Sequence, residues 1–343
     1  MPHYRAGVVA RGGEFGPPLY LGAAFHAPNW TAFADGTLVV DRPGRNGTRA
    51  LIAVSPSGTN RTLLTLPAGQ AVDVLEAAAD WAVVTYFAED APSQHAIRYT
   101  ATVAVNVRTG AGTVIAGRGA TVTDLPAGFG IAASRSFDVD RTGTVWYAAG
   151  APSRPVLHRY DLRTGRSETV ARAPGGHRQA PGVGVGLDGV YWQYPGKADT
   201  DAGAAVLAAA LPLPRPVAAA YGHRSVATLT SDGRAYAWTT GTELSWWQPG
   251  MRAPKRVDLS DADDHTAGVD TVAGPIVSAA SGAEANGRTV IDMRTGSYVL
   301  NPQITSGGDV QTTPGRWYFQ TYDDDARAAT IHAISSALPR LHC

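Results

Sequence analysis

One two-part phrase recurs from end to end of this chain: a tight turn followed by a strand rich in aromatic and β-branched residues. Its copies are Asp35-Gly36-Thr37-Leu38-Val39-Val40, Asp80-Trp81-Ala82-Val83-Val84, Thr142-Gly143-Thr144-Val145-Trp146-Tyr147, Asp188-Gly189-Val190-Tyr191-Trp192, Asp232-Gly233-Arg234-Ala235-Tyr236-Ala237-Trp238, Ala273-Gly274-Pro275-Ile276-Val277 and Pro314-Gly315-Arg316-Trp317-Tyr318-Phe319. The turn positions 36, 81, 143, 189, 233, 274 and 315 are separated by 45, 62, 46, 44, 41 and 41 residues. A repeat of about 40–50 residues built from strands predicts radially arranged four-stranded sheets, the blades of a β-propeller. Seven copies predict seven blades.

A second phrase completes the unit. Ser57-Gly58 follows Asp35-Gly36, Thr164-Gly165 follows Thr142-Gly143, and Thr295-Gly296 follows Gly274, each pair of glycines 22 residues apart. Before these later turns lie alternating strands such as Val156 to Leu162 and Thr289 to Met293, and after them short ones such as Arg166 to Val170. Alternation puts every second side chain on one face of a sheet. Each repeat therefore reads as four antiparallel strands: an inner one, the aromatic one, the alternating one and an outer one. The step of 62 is expected to come from loop insertions at Phe87 to Thr100 and Arg118 to Phe129. Gly203 to Leu211 has helical propensity, but its place in the repeat predicts a strand. Tyr4 to Ala10 is expected to pair with the last blade and close the ring, which removes exposed sheet edges. Residues 1–343 read as one all-β domain.

With 29 Lys and Arg against 29 Asp and Glu, the chain has no net charge to draw in nucleic acid or anionic lipid. Nowhere do about 18 uncharged apolar residues run together, so no membrane span is expected. Cys343 is the sole cysteine, which excludes an intrachain disulfide and a multi-cysteine metal centre. The first ten residues carry no signal-peptide pattern. The compartment is expected to be the cytoplasm with Met1 as the native start, or secreted or periplasmic with a leader removed.

On a propeller, the connections from an outer strand to the next inner strand gather at one face, together with the loops between the middle strands. Four of the nine histidines, His26, His177, His223 and His265, fall in such connections. His26 and His177 stand several residues before their strands, His223 and His265 immediately before theirs. Imidazole titrates near neutrality and ligates transition metals, so converging histidines suit an acid/base pair or a metal site. His177, His223 and His265 are the candidate catalytic residues, and His223, His265 and Asp264 the candidate ligands for a divalent metal. Solvated loop histidines are the alternative reading. Asp261, Asp263 and Asp264, Asp309 and Asp323-Asp324-Asp325 add carboxylates to the same face, and Asp199-Thr200-Asp201 only loosely matches a calcium loop. Arg178 and Arg224 suit an anionic group, or ion pairs with those acids. His26, Trp30, Arg178, Arg224, Trp247 and Asp309 form the candidate binding set. Of the adjacent Trp246 and Trp247, which point opposite ways on a strand, one is expected to be free to stack on a ligand ring. Trp146, Trp192, Trp238 and Trp317 are expected at one repeat position, packing blade against blade.

Gly184-Val185-Gly186-Leu187-Asp188-Gly189 matches G-x-G-x-x-G, yet a strand follows it instead of a helix, so it reads as a blade turn and not a pyrophosphate cradle. The chain has no G-x-S-x-G, H-E-x-x-H, P-loop or C-x-x-C.

The phrase Asp138-Val139-Asp140-Arg141-Thr142-Gly143-Thr144-Val145-Trp146-Tyr147, with Tyr160-Asp161-Leu162-Arg163-Thr164-Gly165, resembles repeats of bacterial propellers outside the tryptophan-aspartate group. These include TolB-like, YncE-like and virginiamycin B lyase-like proteins. The lyase resemblance implies a histidine base and a divalent ion in the channel, though no lyase motif matches residue by residue. Two functional classes follow: a binding module for a small molecule, glycan or protein segment, and a lyase, hydrolase or cyclase acting in the channel.

Overall fold

The computed structural model of the chain describes residues 18–23, 29–66, 68–88, 98–117, 137–140, 142–149, 156–172, 182–186, 190–194, 206–209, 213–221, 228–259, 268–280, 288–301, 310–313, 316–323 and 328–335. Local chemistry at the turns sets where its strands begin and end. Asp140 Oδ1 accepts hydrogen bonds from the backbone N–H groups of Thr142 and Thr144 at 2.8 and 3.0 Å, and Asp232 Oδ1 does the same for Arg234 and Ala235 at 2.7 and 2.8 Å. A carboxylate bonding its own backbone two or more residues on offers the chain a turn in place of a longer strand. Gly143 and Gly233 follow at φ of 88° and 72°, a left-handed conformation disfavoured for residues with a Cβ. The later turn has its own version. Asn106 and Asp161 each accept two backbone N–H groups, and Gly110 and Gly165 then return a hydrogen bond to the carbonyl of the same Asn or Asp at 2.8 Å.

These turns divide the described residues into 27 strands. β1 (Pro18–Ala23) precedes the repeats. Sheet one follows, with β2 (Trp30–Ala32), β3 (Leu38–Pro43), β4 (Arg49–Val54) and β5 (Asn60–Leu66). Sheet two holds β6 (Gln70–Ala78), β7 (Trp81–Ala88), β8 (Arg98–Asn106) and β9 (Gly112–Gly117). Sheet three holds β10 (Phe137–Val139), β11 (Thr144–Ala149), β12 (Val156–Asp161) and β13 (Arg166–Arg172). Sheet four holds β14 (Gly182–Val185), β15 (Val190–Tyr194) and β16 (Val206–Ala209), and is followed by a short helix, α1 (Arg215–Tyr221). Sheet five holds β17 (Thr228–Ser231), β18 (Tyr236–Thr240), β19 (Glu243–Trp247) and β20 (Lys255–Asp258). Sheet six holds β21 (Gly268–Ala273), β22 (Ile276–Ala280), β23 (Arg288–Asp292) and β24 (Ser297–Asn301). Sheet seven joins β25 (Val310–Thr313), β26 (Arg316–Asp323) and β27 (Ala328–Ser335) to β1. All pairings within the sheets are antiparallel.

Two expectations need correction. The strand that joins the N-terminal part of the chain to the last sheet is Pro18–Ala23, paired with β27; Tyr4 to Ala10 lies outside the described residues. The 62-residue step is not all loop, because Phe87 belongs to β7 and residues 98–100 to β8, so part of the added length is longer strand. Sheet four has three strands among the described residues. The repeat does hold at Val206–Ala209, which is a strand despite its alanines. The helical turn comes later, where Pro214 accepts from the N–H groups of Val217 and Ala218 at 2.9 Å and Pro216 sits in the first turn, where its missing N–H leaves no bond unmade.

Sheets pack face to face through apolar residues on both sides. On sheet five, Ala235, Ala237, Leu244 and Trp246 pack with Val269, Val272 and Val277 of sheet six, while Leu229, Tyr236, Trp238 and Trp247 pack with Val217 of α1 from the other side. The tryptophans of the second strands do not share one position: Trp146 packs forward against Val183, Val185 and Val190 of sheet four, whereas Trp238 faces back toward α1. The difference arises because Val145 pairs with Val139 across its turn and Tyr236 with Ser231, so the two turns are of different length and the strands start out of phase. The side-chain positions of Trp192 and Trp317 lie outside the described residues.

Gly186, the second glycine of the G-x-G-x-x-G match, has a packing role. A Cβ on it would lie 1.8 Å from Tyr236 Oη and 2.4 Å from Cζ, and Tyr236 is fully buried. Gly186→Ala is therefore expected to cost about 1–3 kcal/mol, read as a lowered Tm, with part of the loss recovered when Tyr236→Leu makes room. A second expectation concerns acid. Burial pushes the Asp292 carboxyl up, but hydrogen bonds from the Arg294 guanidinium and the backbone N–H groups of Arg294 and Thr295 outweigh it and hold the group below its ordinary value. A depressed carboxylate contributes stability above the unfolded-state pKa, and that contribution disappears as pH falls through the folded value. The Tm deficit of Asp292→Asn at pH 7 is expected to shrink on acidification below about pH 4.

Candidate functional site

Each first strand ends at a turn phrase, so each begins at the opposite end of its sheet, where the connection from the preceding sheet arrives. Turn phrases of neighbouring sheets meet at a common end. Gly274 N–H donates to Asp232 Oδ2 at 2.8 Å, and a Cβ on Gly143 would stand 3.7 Å from that of Ala79. The first strands also touch in succession, β2 to β6, β10, β14, β17, β21 and β25, and β25 touches β2. The connections into the first strands consequently start from the end opposite the turn phrases, around one mouth.

The strands on either side place His26, His177, His223 and His265 in connections into β2, β14, β17 and β21. The first described residues of those strands follow them by four, five, five and three positions. Asp309 immediately precedes β25. The coordinates of these five residues, and of Arg178, Arg224 and Asp264, lie outside the described residues. Among the described residues no three His, Cys, Asp or Glu side chains come together as a metal-binding group.

The described part of the mouth is built on sheet one. Asp41 is fully buried and accepts both Nε and Nη2 of Arg49, the closer contact at 2.6 Å, a two-point grip that suits a planar guanidinium. Asp41 N–H donates to Asn29 O at 2.7 Å, and Asn29 Nδ2 reaches across to Val72 O of sheet two at 2.8 Å. This chain of bonds ties the start of β2 to the next sheet; the sequence signal for it, an Asp and an Arg on either side of a Gly-rich loop, is too common to read.

Two candidate binding residues are placed by the structure away from any ligand. Trp30 is 1% exposed, packed with Ala32, Leu38, Val40, Tyr318 and Ile331, where it joins sheets one and seven. Trp247 pairs with Tyr236, just beyond the Asp232 turn, and so lies at the end away from the mouth. Its indole N–H donates to Met251 O at 3.1 Å and its ring sits 6.3 Å from that of Tyr236. Trp246 is buried as well and donates to Gly274 O at 2.7 Å, so neither of the pair offers a free face for stacking.

No protein-family profile and no curated protein matches the sequence. Solved structures do match in fold. The propeller domain of the Trilobed protease from Pyrococcus furiosus is 8% identical, with 91% of this chain and 97% of that one covered at a TM-score of 0.57. An oligogalacturonate lyase in complex with manganese is 13% identical over 92% and 90% of the two chains, with a TM-score of 0.55. The WD40 propeller domain of Doa1 is 10% identical over 93% and 96%, with a TM-score of 0.53. At such identities the likeness shows the β-propeller fold class, which serves enzymes and non-enzymes alike. No helix among the described residues is long and apolar enough to cross a membrane.

The Asp41–Arg49 pair yields a direct expectation. Asp41→Ala leaves the four-fifths-buried Arg49 guanidinium without its partner, so thermal or urea unfolding is expected to show a loss of about 2–4 kcal/mol, reduced in the double variant Asp41→Ala/Arg49→Met.

Proposed function

We propose that the chain is a closed, seven-bladed propeller domain that binds a small molecule, glycan or protein segment at the mouth formed by its inter-sheet connections. The succession of first-strand contacts, with β25 returning to β2, carries this reading, because it brings the starts of all the inner strands to one rim. On that rim His26, His177, His223 and His265 supply neutral or cationic hydrogen-bonding groups, Arg178 and Arg224 recognise anionic ones, and Asp309 accepts from hydroxyl or amine groups. The chain has no catalytic signature of high specificity, which favours binding over turnover.

A second reading rests on the even spacing of the four histidines before their strands: His177, His223 and His265 as a base or, with Asp264, as ligands of a divalent ion in a lyase, hydrolase or cyclase. One pair of measurements separates the two. Screening the purified protein against glycan and peptide arrays is expected to find a ligand whose Kd rises about tenfold or more in His223→Ala/His265→Ala, with no stoichiometric metal in either protein. Stoichiometric metal in the native chain that is lost in the double variant replaces the binding reading with the enzymatic one. Unchanged affinity and no metal removes both.

A further inference from the structure

A cleft of about 540 Å³ opens between α1 and the face of sheet five that α1 partly covers. Its origin is legible in the chain. Sheet four has three strands among the described residues, and the segment after it carries Pro212, Pro214 and Pro216, which cannot donate to a strand ladder. The helix formed there anchors Val217 in the core beside Leu229, Tyr236 and Trp238, but it spans only seven residues, and the outer part of the sheet beyond it is open.

Three arginines line this cleft, Arg215 from α1, Arg252 from the β19–β20 loop and Arg256 from β20, against one carboxylate, Glu243. On a chain with equal numbers of acidic and basic residues that is a local excess of positive charge. Arg256 is already engaged, its Nη1 3.4 Å from Glu243 Oε1, to which Ser245 Oγ also donates at 3.4 Å. Arg215 and Arg252 have no hydrogen-bond or ion-pair partner among the described residues. Apart from Thr240, the remaining lining is apolar: Trp238 is 2% exposed and forms the floor, with Pro216, Ala219, Ala253 and Pro254 at the sides. Two unpaired guanidiniums over an apolar floor match a ligand with an anionic head and an apolar body, and the volume falls within the range of about 300–1,000 Å³ for small-molecule sites.

The geometry points to a second binding site in this cleft, for a small organic anion whose carboxylate or phosphate is gripped by Arg215 and Arg252 while its apolar part lies against Trp238. Glu243 sets the selectivity: it orients Arg256 and repels a second negative charge placed near Ser245.

Calorimetric titration with benzoate, phenyl phosphate, inorganic phosphate and neutral benzamide tests this on the intact chain. Saturable one-to-one binding of benzoate or phenyl phosphate is expected, and which of the two binds more tightly identifies the anionic head. Benzamide and inorganic phosphate, each lacking one half of the ligand chemistry, are expected to bind at least about tenfold more weakly. Arg215→Ala/Arg252→Ala is expected to weaken the preferred anion about tenfold or more, with an unchanged melting curve because both side chains are exposed. Glu243→Gln, which removes the repelling carboxylate and frees Arg256, is expected to tighten it. Affinity equal in the native and double-arginine proteins, equal binding of benzamide, or no saturable heat with either organic anion overturns the proposal. His223→Ala/His265→Ala leaves this titration unchanged, which separates the cleft from the mouth.

Discussion

Sheets one, two, three and five each have two apolar faces to hide, and that requirement shapes the rest. Sheet five buries Ala237 and Trp246 on one side and Tyr236 and Trp238 on the other, and β18 is buried along most of its length. A sheet apolar on one face can sit on a single partner, but one apolar on both needs a neighbour on each side. Applied to sheet after sheet, this favours a continuous succession of sheets, as the contacts of the first strands from β2 through β25 and back to β2 display. Polar links then set the rotation between neighbours. Asp138 Oδ2 receives Val185 N–H of the next sheet at 2.8 Å, and Tyr160 of sheet three meets Thr113 of sheet two at 3.0 Å.

Turns were the most readable part of the sequence because their chemistry is local. An Asp or Asn that bonds its own backbone, followed by a glycine at positive φ, carries its structure within five residues, and every turn phrase falls between the first and second strands of a sheet. Asn106-Val107-Arg108-Thr109-Gly110 obeys the same rule as Asp161 to Gly165 and completes the series for sheet two. What depended on phase was less legible. Trp146 stands three residues after its turn glycine and Trp238 five, an even difference that by itself would keep them on one face, yet a turn of different length sends one forward and the other back. The N-terminal strand was misplaced because Tyr4 to Ala10 and Pro18 to Ala23 are both short and apolar, and only pairing with β27 distinguishes them.

The candidate site was legible as an address but not as a geometry. That His26, His177, His223 and His265 precede first strands follows from the repeat, since the strands on either side determine it. Whether imidazoles meet depends on loop conformations that no periodicity encodes. Burial had to be seen: Trp30 sits one residue after Asn29, beside the mouth, and still belongs to the core. The cleft beside α1 left no motif, because its arginines come from three separate elements brought together beside a seven-residue helix. Likeness to solved propellers at 8–13% identity fits this division, since alternating burial and turn chemistry can be kept while the loops that carry function are rewritten.

The antiparallel pairing of β1 with β27 also orders events in time. On the ribosome, β1 emerges with its partner still more than 300 residues away, so it must wait unpaired while the strands of the other six sheets form behind it. Contacts of such sequence separation are slow to make. The last sheet is thus completed late, by the non-covalent pairing of β1 with β27, and until that moment the nascent protein carries an open edge on which chaperones, or a second unfinished copy, can act.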